Sequence, residues 1–403
     1  MPIFLYSASD ANGKVISGKI ESTNDDTLRE ALRDKGLYPI SIKRESVLKK
    51  DLEFGQKKIK LKELAIFSKQ FSSLLGAGVT VVSCLDILKQ QTENKTFAKI
   101  LESLHEEVQK GTALSVAMTE HSKVFPSILI HMVEAGELSG NLDASFEKLA
   151  AHFDKESKTA NKIRSALTYP IVVILFAIAA VIVIVTVVIP GFAPTFESLG
   201  VELPIFTKIL LSLSDFFRDY WYILIIAVVL LVVGYTFYAR TPGGKYNLSK
   251  LSLKLPYIGV LNLKVASSRF ARTLSTMLAS GLSLFTAIEI ASKVVGNAFI
   301  SKGLVKLMDE VGRGSTIAGP LKELNIFPPM LVHMVTVGES TGEIESLLQN
   351  TADYYDEEVD VAVSQLTAVM EPAIILVLGI IVLIIVLAVF GPILSLYSAV
   401  DSM

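Results

Sequence analysis

The sequence predicts a mainly α-helical protein built from two duplicated cytoplasmic helical bundles, three transmembrane helices and a small N-terminal ββαβ module. Three observations predict it. The 403-residue chain is 51% hydrophobic and 19% charged, with a mean hydropathy of +0.51, too apolar for an ordinary soluble protein and far too apolar for disorder. Three long runs carry no charge at all: Ile171 to Ile189, Trp221 to Tyr238 and Ala373 to Phe390. Finally, stretches of the first half recur in the second at a nearly constant offset.

The first 55 residues form the mixed module. Residues FLYSA and VISGKI read as strands joined at Asp10 to Gly13, Thr23 and Asp26 mark a helix start, Gly36 its end, and Tyr38 to Lys43 returns as a strand. A charged stretch, Lys49 to Lys62, reads as a flexible linker.

The first bundle spans 57–168. Leu64, Phe67, Phe71 and Leu74 recur at intervals of three and four, as do Leu142, Phe146, Leu149 and Phe153, one apolar stripe per helix. Gly76 and Gly78 break the first hairpin, Lys110-Gly111 ends another helix, and Phe125-Pro126 opens the next. From Asn141 the helical pattern runs without a breaker to Tyr169, so the last bundle helix enters the first span directly, with a bend expected at Pro170.

Each apolar run is long enough to cross a bilayer, since eighteen residues rise about 27 Å. The spans are placed at 169–190, 219–238 and 372–394, with an external loop at 191–218 and an external tail at 395–403. Lys155, Lys158, Lys162 and Arg164 precede the first span, while Arg240, Lys245, Lys250 and Lys254 follow the second, which puts those sides in the cytoplasm. The third span follows by alternation, giving an N-in, C-out chain. No signal peptide is expected before these spans. The spans lack the ionisable groups that proton relays and ion paths require, which disfavours a pump or channel.

The second bundle, 239–371, is a copy of the first. Ser72 to Leu88 parallels Ser275 to Ala291, setting Gly78 against Gly281; Lys110 to Leu114 parallels the segment beginning at Arg313; after a one-residue deletion, Phe125 to Asp143 parallels Phe327 to Glu345. Tyr169-Pro170 and Glu371-Pro372 then occupy matching helix-to-membrane joins, candidate coupling points. Gly136, Glu137 and Gly140 match Gly338, Glu339 and Gly342, and these residues are expected to build paired turns, with Gly136 and Gly338 at positive φ.

Most chemistry is excluded. The charge balance of 38 basic against 40 acidic residues argues against a nucleic-acid partner. Cys84 is the lone cysteine, and the five histidines show no ligand spacing on one helical face. No phosphate-binding loop and no G-x-S-x-G elbow occurs, so neither ATP hydrolysis nor any other enzyme activity is expected, and no cofactor. Glu134, Glu137 and Asp143 are weak candidates for a divalent cation, with helix capping the favoured reading. Asp353 to Asp360 (DYYDEEVD) reads as a solvated helix face or a docking surface. His131 and His333, on apolar helices, are expected in the core.

At these residues the chain resembles the inner-membrane platform proteins of type IV pilus and type II secretion machines. The doubled G-E-x-[ST]-G turns, the join SALTYP (Ser165 to Pro170) and the loop Ile189 to Thr207 carry the resemblance, and Arg269 to Leu284 is closer to the pilus branch. It implies a multi-pass cytoplasmic-membrane scaffold, a homo-oligomer in the lipid bilayer, whose partners are a hexameric cytoplasmic assembly ATPase, pilin or pseudopilin subunits and alignment-complex membrane proteins. The platform would couple ATPase motion to pilin extraction and polymerisation. A membrane-tethered signalling scaffold and a small transporter are the rival classes; the transporter would need broken helices or polar sites within the membrane.

Overall fold

A computed structural model of the chain describes residues 3–9, 15–21, 38–44, 59–188, 190–191, 194 and 205–401. It divides into two compact units. The first is an antiparallel sheet with β1 (Ile3–Ser9) in the middle, flanked by β2 (Val15–Glu21) and β3 (Tyr38–Arg44). Tyr6 stands opposite Gly18 on one side and Ile42 on the other, and the β1–β3 register shifts between Ser7 and Ala8. The expected turn at Asp10 to Gly13 and the helix between Thr23 and Gly36 lie outside the described residues.

The second unit is helical. Its first helix, α1 (Leu61–Gly76), starts where the Lys60 N–H donates to the Glu63 carboxylate at 2.7 Å. The charged stretch expected as a linker therefore ends inside a capped helix at Lys60 to Lys62; its residues up to Lys58 are not described. Next come α2 (Val81–Gln91), α3 (Lys95–Gln109), α4 (Leu114–Glu120), α5 (Ser127–Ser139) and α6 (Leu142–Val183), the last running on into a π-helical turn at Ile184–Val188. Then α7 (Ile205–Arg240), with a non-helical Tyr220, and α8 (Pro242–Lys254) lead to the second copy. That copy comprises α9 (Ile258–Ala279), α10 (Leu284–Val294), α11 (Ala298–Gly312), α12 (Ala318–Glu323), α13 (Pro329–Thr341) and α14 (Ile344–Asp401).

The duplication holds at the level of the backbone. Gly78, Gly111 and Gly140 take positive φ of 83°, 96° and 74°, and their counterparts Gly281, Gly314 and Gly342 take 77°, 93° and 79°. Thr80 and Ser283 cap matching helices with their side chains, and Pro126 and Pro328 occupy matching N-cap positions. Within each copy the first helix lies along the last, α1 on α6 and α9 on α14, and the two long helices also pack on each other. The core runs through both copies.

In the first copy that core is aromatic: Phe71 stacks on Phe146 at 4.2 Å, and Phe67 meets Phe97 edge-on at 5.4 Å. Burying each such ring contributes about 2 to 3 kcal/mol. His131 and His333 are not part of it. His131 is half-exposed beside Glu134 and His333 is exposed, because the buried face of their helices passes through Leu129, Met132 and Val133 and through Leu331 and Val335.

Both α6 and α14 pass through their prolines, Pro170 and Pro372, without interruption. Among the described residues two helices are long and apolar enough to span a membrane, Leu142–Val188 and Ile344–Leu387. A third candidate is the pair Ser214–Ile223 and Ile226–Arg240, bent by 51°. Their apolar side chains, such as Phe176, Leu231 and Leu376, face outward, an inversion that only an apolar surrounding offsets.

Candidate functional site

Two constructions use the residues that the sequence singled out: a pair of turns and a charged seam. In the first turn Glu137, on α5, reaches back to the N-terminus of α4. Its carboxylate accepts from Leu114 N at 2.6 Å, Ser115 N at 3.1 Å and Ser115 Oγ at 2.5 Å. Glu339 does the same in the second copy, accepting from Ile317 N at 2.7 Å and Ala318 N at 3.1 Å. An anion at a helix N-terminus satisfies otherwise orphaned N–H groups and complements the dipole. Glu134 instead faces His131 Nδ1 at 3.2 Å, and Asp143 lies in the first turn of α6. The three candidate cation ligands therefore do not converge. Among the described residues no group of three or more His, Cys, Asp or Glu side chains is placed to hold a metal.

Gly136 and Gly338 differ from the expectation of positive φ. Both sit inside helices, and the left-handed residues are Gly140 and Gly342, the C-caps four residues on. What requires glycine at 136 and 338 is close approach: a Cβ at 136 would lie 2.6 Å from Ser145 Oγ, and one at 338 would lie 2.7 Å from Ile344 Cα. The turn folds the next helix back so tightly that its first residues occupy the space of a side chain.

The seam joins α6 of the first copy to α9 and α14 of the second. Arg272, buried on α9, donates to Asp356 at 2.5 Å and Asp353 at 3.3 Å on α14, and Ser268 Oγ donates to Asp356 at 2.5 Å. Lys155 crosses from α6 to the same two carboxylates at 3.4 and 3.7 Å. Lys162 meets Asp360 at 2.5 Å, Glu156 meets Arg269 at 2.9 Å, and Lys264 meets Glu358 at 2.6 Å. At the far end Lys148 Nζ donates to the carbonyl of Ala279, the last residue of α9, at 2.5 Å, a cation on a negative helix end. The acidic run DYYDEEVD is thus largely consumed within the chain.

Beneath these pairs lies His152, buried, with Nδ1 lacking a partner. Burial first, then the charges of Arg272 and Arg269, pushes its pKa down to about 3, so the ring is neutral at physiological pH. Burial also raises the Asp353 carboxyl, but hydrogen bonds from Gln349 and Arg272 and the charges of Arg272 and Lys155 outweigh it, leaving a net lowering. A groove of about 520 Å³ opens beside this network between Lys148, Lys155, Arg272 and Gln349.

Arg272, His152 and the partners of Lys155 are not evident from periodicity. A signal for them exists in the repeat alignment: from 343 to 371 the second long helix has no Lys or Arg, whereas the first carries Lys148, Lys155, Lys158, Lys162 and Arg164. Tyr169 and Glu371 are exposed beside prolines that interrupt neither helix.

A duplicated helical bundle whose last helices continue as long apolar segments defines a class of membrane-associated helical protein. The chain belongs to the family described as type II secretion system (T2SS), protein F, which matches residues 67–190 and again 270–392, with that family's N-terminal domain matching residues 1–43. The type IV pilus assembly protein PilC of Thermus thermophilus is 38% identical over 100% of both chains, and that of Myxococcus xanthus is 35% identical over 99% of this chain and 96% of its own. A type II secretion system protein F from Vibrio cholerae is 30% identical over 98% of each chain.

Proposed function

We propose that this chain is the cytoplasmic-membrane platform of a type IV pilus assembly machine, passing the motion of a separate cytoplasmic ATPase into the bilayer so that pilin subunits are extracted and polymerised. The observation that carries the proposal is the continuity of α6 and α14 from bundle to apolar segment, with both helices clamped by the seam. A displacement of either bundle then moves the segment beyond it, because coupling needs a stiff element biased at both ends. The pilus reading is favoured by the higher identity of the pilus relatives, 35% and 38%, over the 30% secretion relative.

In this reading the N-terminal sheet belongs to a ββαβ module at 1–55, and bundles at 57–168 and 239–371 lie in the cytoplasm. Spans at 169–190, 219–238 and 372–394 cross the membrane, with the N-terminus inside and the C-terminus outside. The acidic and basic surfaces left outside the seam engage the ATPase, the alignment proteins and further copies of the chain. Labelling of a cysteine at Ser398 by an impermeant reagent in intact cells tests the topology; protection there reverses it.

A flexible insertion between Arg164 and Ser165, within α6, tests the coupling. Surface fibres should disappear while membrane insertion and ATPase binding persist. Normal fibres in that strain would refute the transmission role. The secretion reading, supported by the Vibrio cholerae relative, differs in outcome: deletion of the chain would stop protein export and leave surface fibres intact.

A further inference from the structure

The contacts between α9 and α14 form an antiparallel ladder that can be extended to its end. Ser275 Oγ donates to the carbonyl of Glu345 at 2.9 Å, Arg272 and Ser268 reach Asp356, and Lys264 reaches Glu358. One turn further, Leu261 is buried with Val359, Ala362 and Val363, against Leu366 of α14 and Ile163 and Ala166 of α6. Each step down α9 is a step up α14, toward Glu371-Pro372 and the apolar run, and up α6 toward Tyr169-Pro170. The residues before Leu261 therefore stand at the height where both long helices become wholly apolar.

Those residues are the hairpin between α8 and α9. Leu255, Tyr257, Ile258 and Val260 are 42% to 51% exposed, and Leu251 on α8 is 57% exposed. Tyr257 has φ +60° and ψ −52°, and the Ile258 N–H donates to the carbonyl of Pro256 at 2.6 Å across a tight turn. A position in this backbone region favours glycine, and a bulky residue there carries strain. Here the strained position holds an exposed tyrosine within an exposed apolar tip, which water does not favour.

The other end of α8 is tethered at the same level. It follows Arg240 after a single residue, and Asn247 donates to the hydroxyl of Tyr238, the last aromatic of α7, at 3.3 Å. Phe217, well inside α7 and before its bend, packs near Val181, Ile184 and Val185 at the end of α6, and the rest of α7 runs from there to Arg240 and into α8. Arg240, Lys245 and Lys254 are exposed along this segment. The inner face of α8 is fixed on the bundle, with Ser249 accepting from Asn297 and Lys302 lying 5.1 Å over the Tyr246 ring.

We infer that α8 and the Leu255 to Val260 hairpin form an interfacial anchor, seated in the headgroup region of the inner leaflet, with the apolar tip in the acyl boundary and the exposed cations on anionic lipid. Tyrosine and cations beside short apolar insertions are what that interface accepts. The anchor would hold the bundle of the second copy against the membrane at a fixed height. It rests on the reading of α6, α7 and α14 as membrane-crossing helices, and its test separates the two.

Single cysteines replace Ile258, Leu230 or Lys322 in a Cys84→Ala background, and the full-length protein, carrying a nitroxide at each in turn, is reconstituted in vesicles of zwitterionic lipid with a minority of anionic phosphatidylglycerol. Relaxation by oxygen against relaxation by a water-soluble nickel chelate reports depth. At Ile258 the ratio should be several-fold above that at Lys322, exposed on α12, and below that at Leu230, within α7. A Leu230 label as accessible to nickel as Lys322 would overturn the membrane reading itself. A lipid-immersed Leu230 with a nickel-accessible Ile258 overturns the anchor alone. An Ile258 label shielded from both relaxants means coverage by protein, a second copy or a partner, and also overturns it. In vesicles lacking phosphatidylglycerol the Ile258 label should shift toward water, and an unchanged depth would overturn the role given to the cations.

Discussion

The two copies share a backbone and differ in what they do with it. The same glycines turn at φ values within about 6° of one another, and the same glutamate caps the short fourth helix of each. The side chains between them have diverged in two ways. The rings of Phe71, Phe97 and Phe146 in the first copy are replaced by Leu274, Ile300 and Leu348 in the second, so one core is aromatic and the other mostly aliphatic. The last helices have diverged in charge: from 344 to 371 α14 carries acidic residues and no Lys or Arg, whereas α6 mixes Lys148, Lys155, Lys158, Lys162 and Arg164 with Asp143, Glu147, Asp154 and Glu156, and the two helices pack against each other. The difference teaches that a duplicated unit must keep its turns to fold at all, whereas its outer faces are free to become complementary. The unbroken acidic face of α14 also disfavours pairing of α14 with α14, where like charges would repel.

The largest expected break in this comparison is at Arg272 and its counterpart Lys69, the same position of the first helix in each copy. Arg272→Ala leaves the partly buried Asp356 without its guanidinium and should cost about 3 kcal/mol, since removing one partner of a buried pair strands the other. Lys69 and Glu147 are 3.9 Å apart and both mostly exposed, so Lys69→Ala should cost less than about 0.5 kcal/mol. Thermal unfolding of the two full-length variants in detergent decides it; equal losses would mean that the seam carries no special energy.

Next are the paired glycines. Gly338→Ala places a methyl group against the backbone of Ile344, which cannot rotate away, and overpacking of this kind costs about 2 kcal/mol. At Gly136 the nearest atom is the Ser145 hydroxyl, a side-chain end that can turn aside, with Ser145 Cβ next at 3.0 Å and Leu142 Cα at 3.2 Å, both farther than the 2.7 Å of Ile344 Cα at Gly338. Gly136→Ala should therefore destabilise less, about 1 kcal/mol. A larger loss at 136 than at 338, measured by the same unfolding experiment, would contradict the packing account.

The smallest effect at neutral pH is at His152, whose counterpart is the exposed Tyr354. A histidine pKa lowered to about 3 in the folded chain means that the unfolded chain binds the proton first. Its contribution is thus fully present above the unfolded value near 6.5 and is lost as pH falls from there toward 3, amounting to about 2 kcal/mol at pH 5. Asp353, lowered below its ordinary range, adds a further loss only under more acid conditions. His152→Phe should flatten the decline in unfolding temperature between pH 7 and 5; an unchanged slope would show that the ring titrates freely.

Much of the architecture was legible because it depends on local pattern. Apolar stripes at three and four residues, the glycines at 78, 140, 281 and 342, and the uncharged runs follow from helical period, left-handed backbone and bilayer thickness, each a property of neighbouring residues. The repeat added the correspondence between halves. What the tertiary structure alone decided is which faces meet. Periodicity places Asp353 to Asp360 on a polar helix face but is silent on whether water or Lys155, Lys162 and Arg272 lies opposite, since those partners are about 80 to 200 residues away. The same silence misplaced His131 and His333, whose helix is apolar but whose own face is outward, and passed over His152, whose face is inward. It also assigned positive φ to Gly136 and Gly338, where the need is space: the requirement comes from the next helix folding back onto Ser145 and Ile344, a distance set by packing and invisible to any single turn.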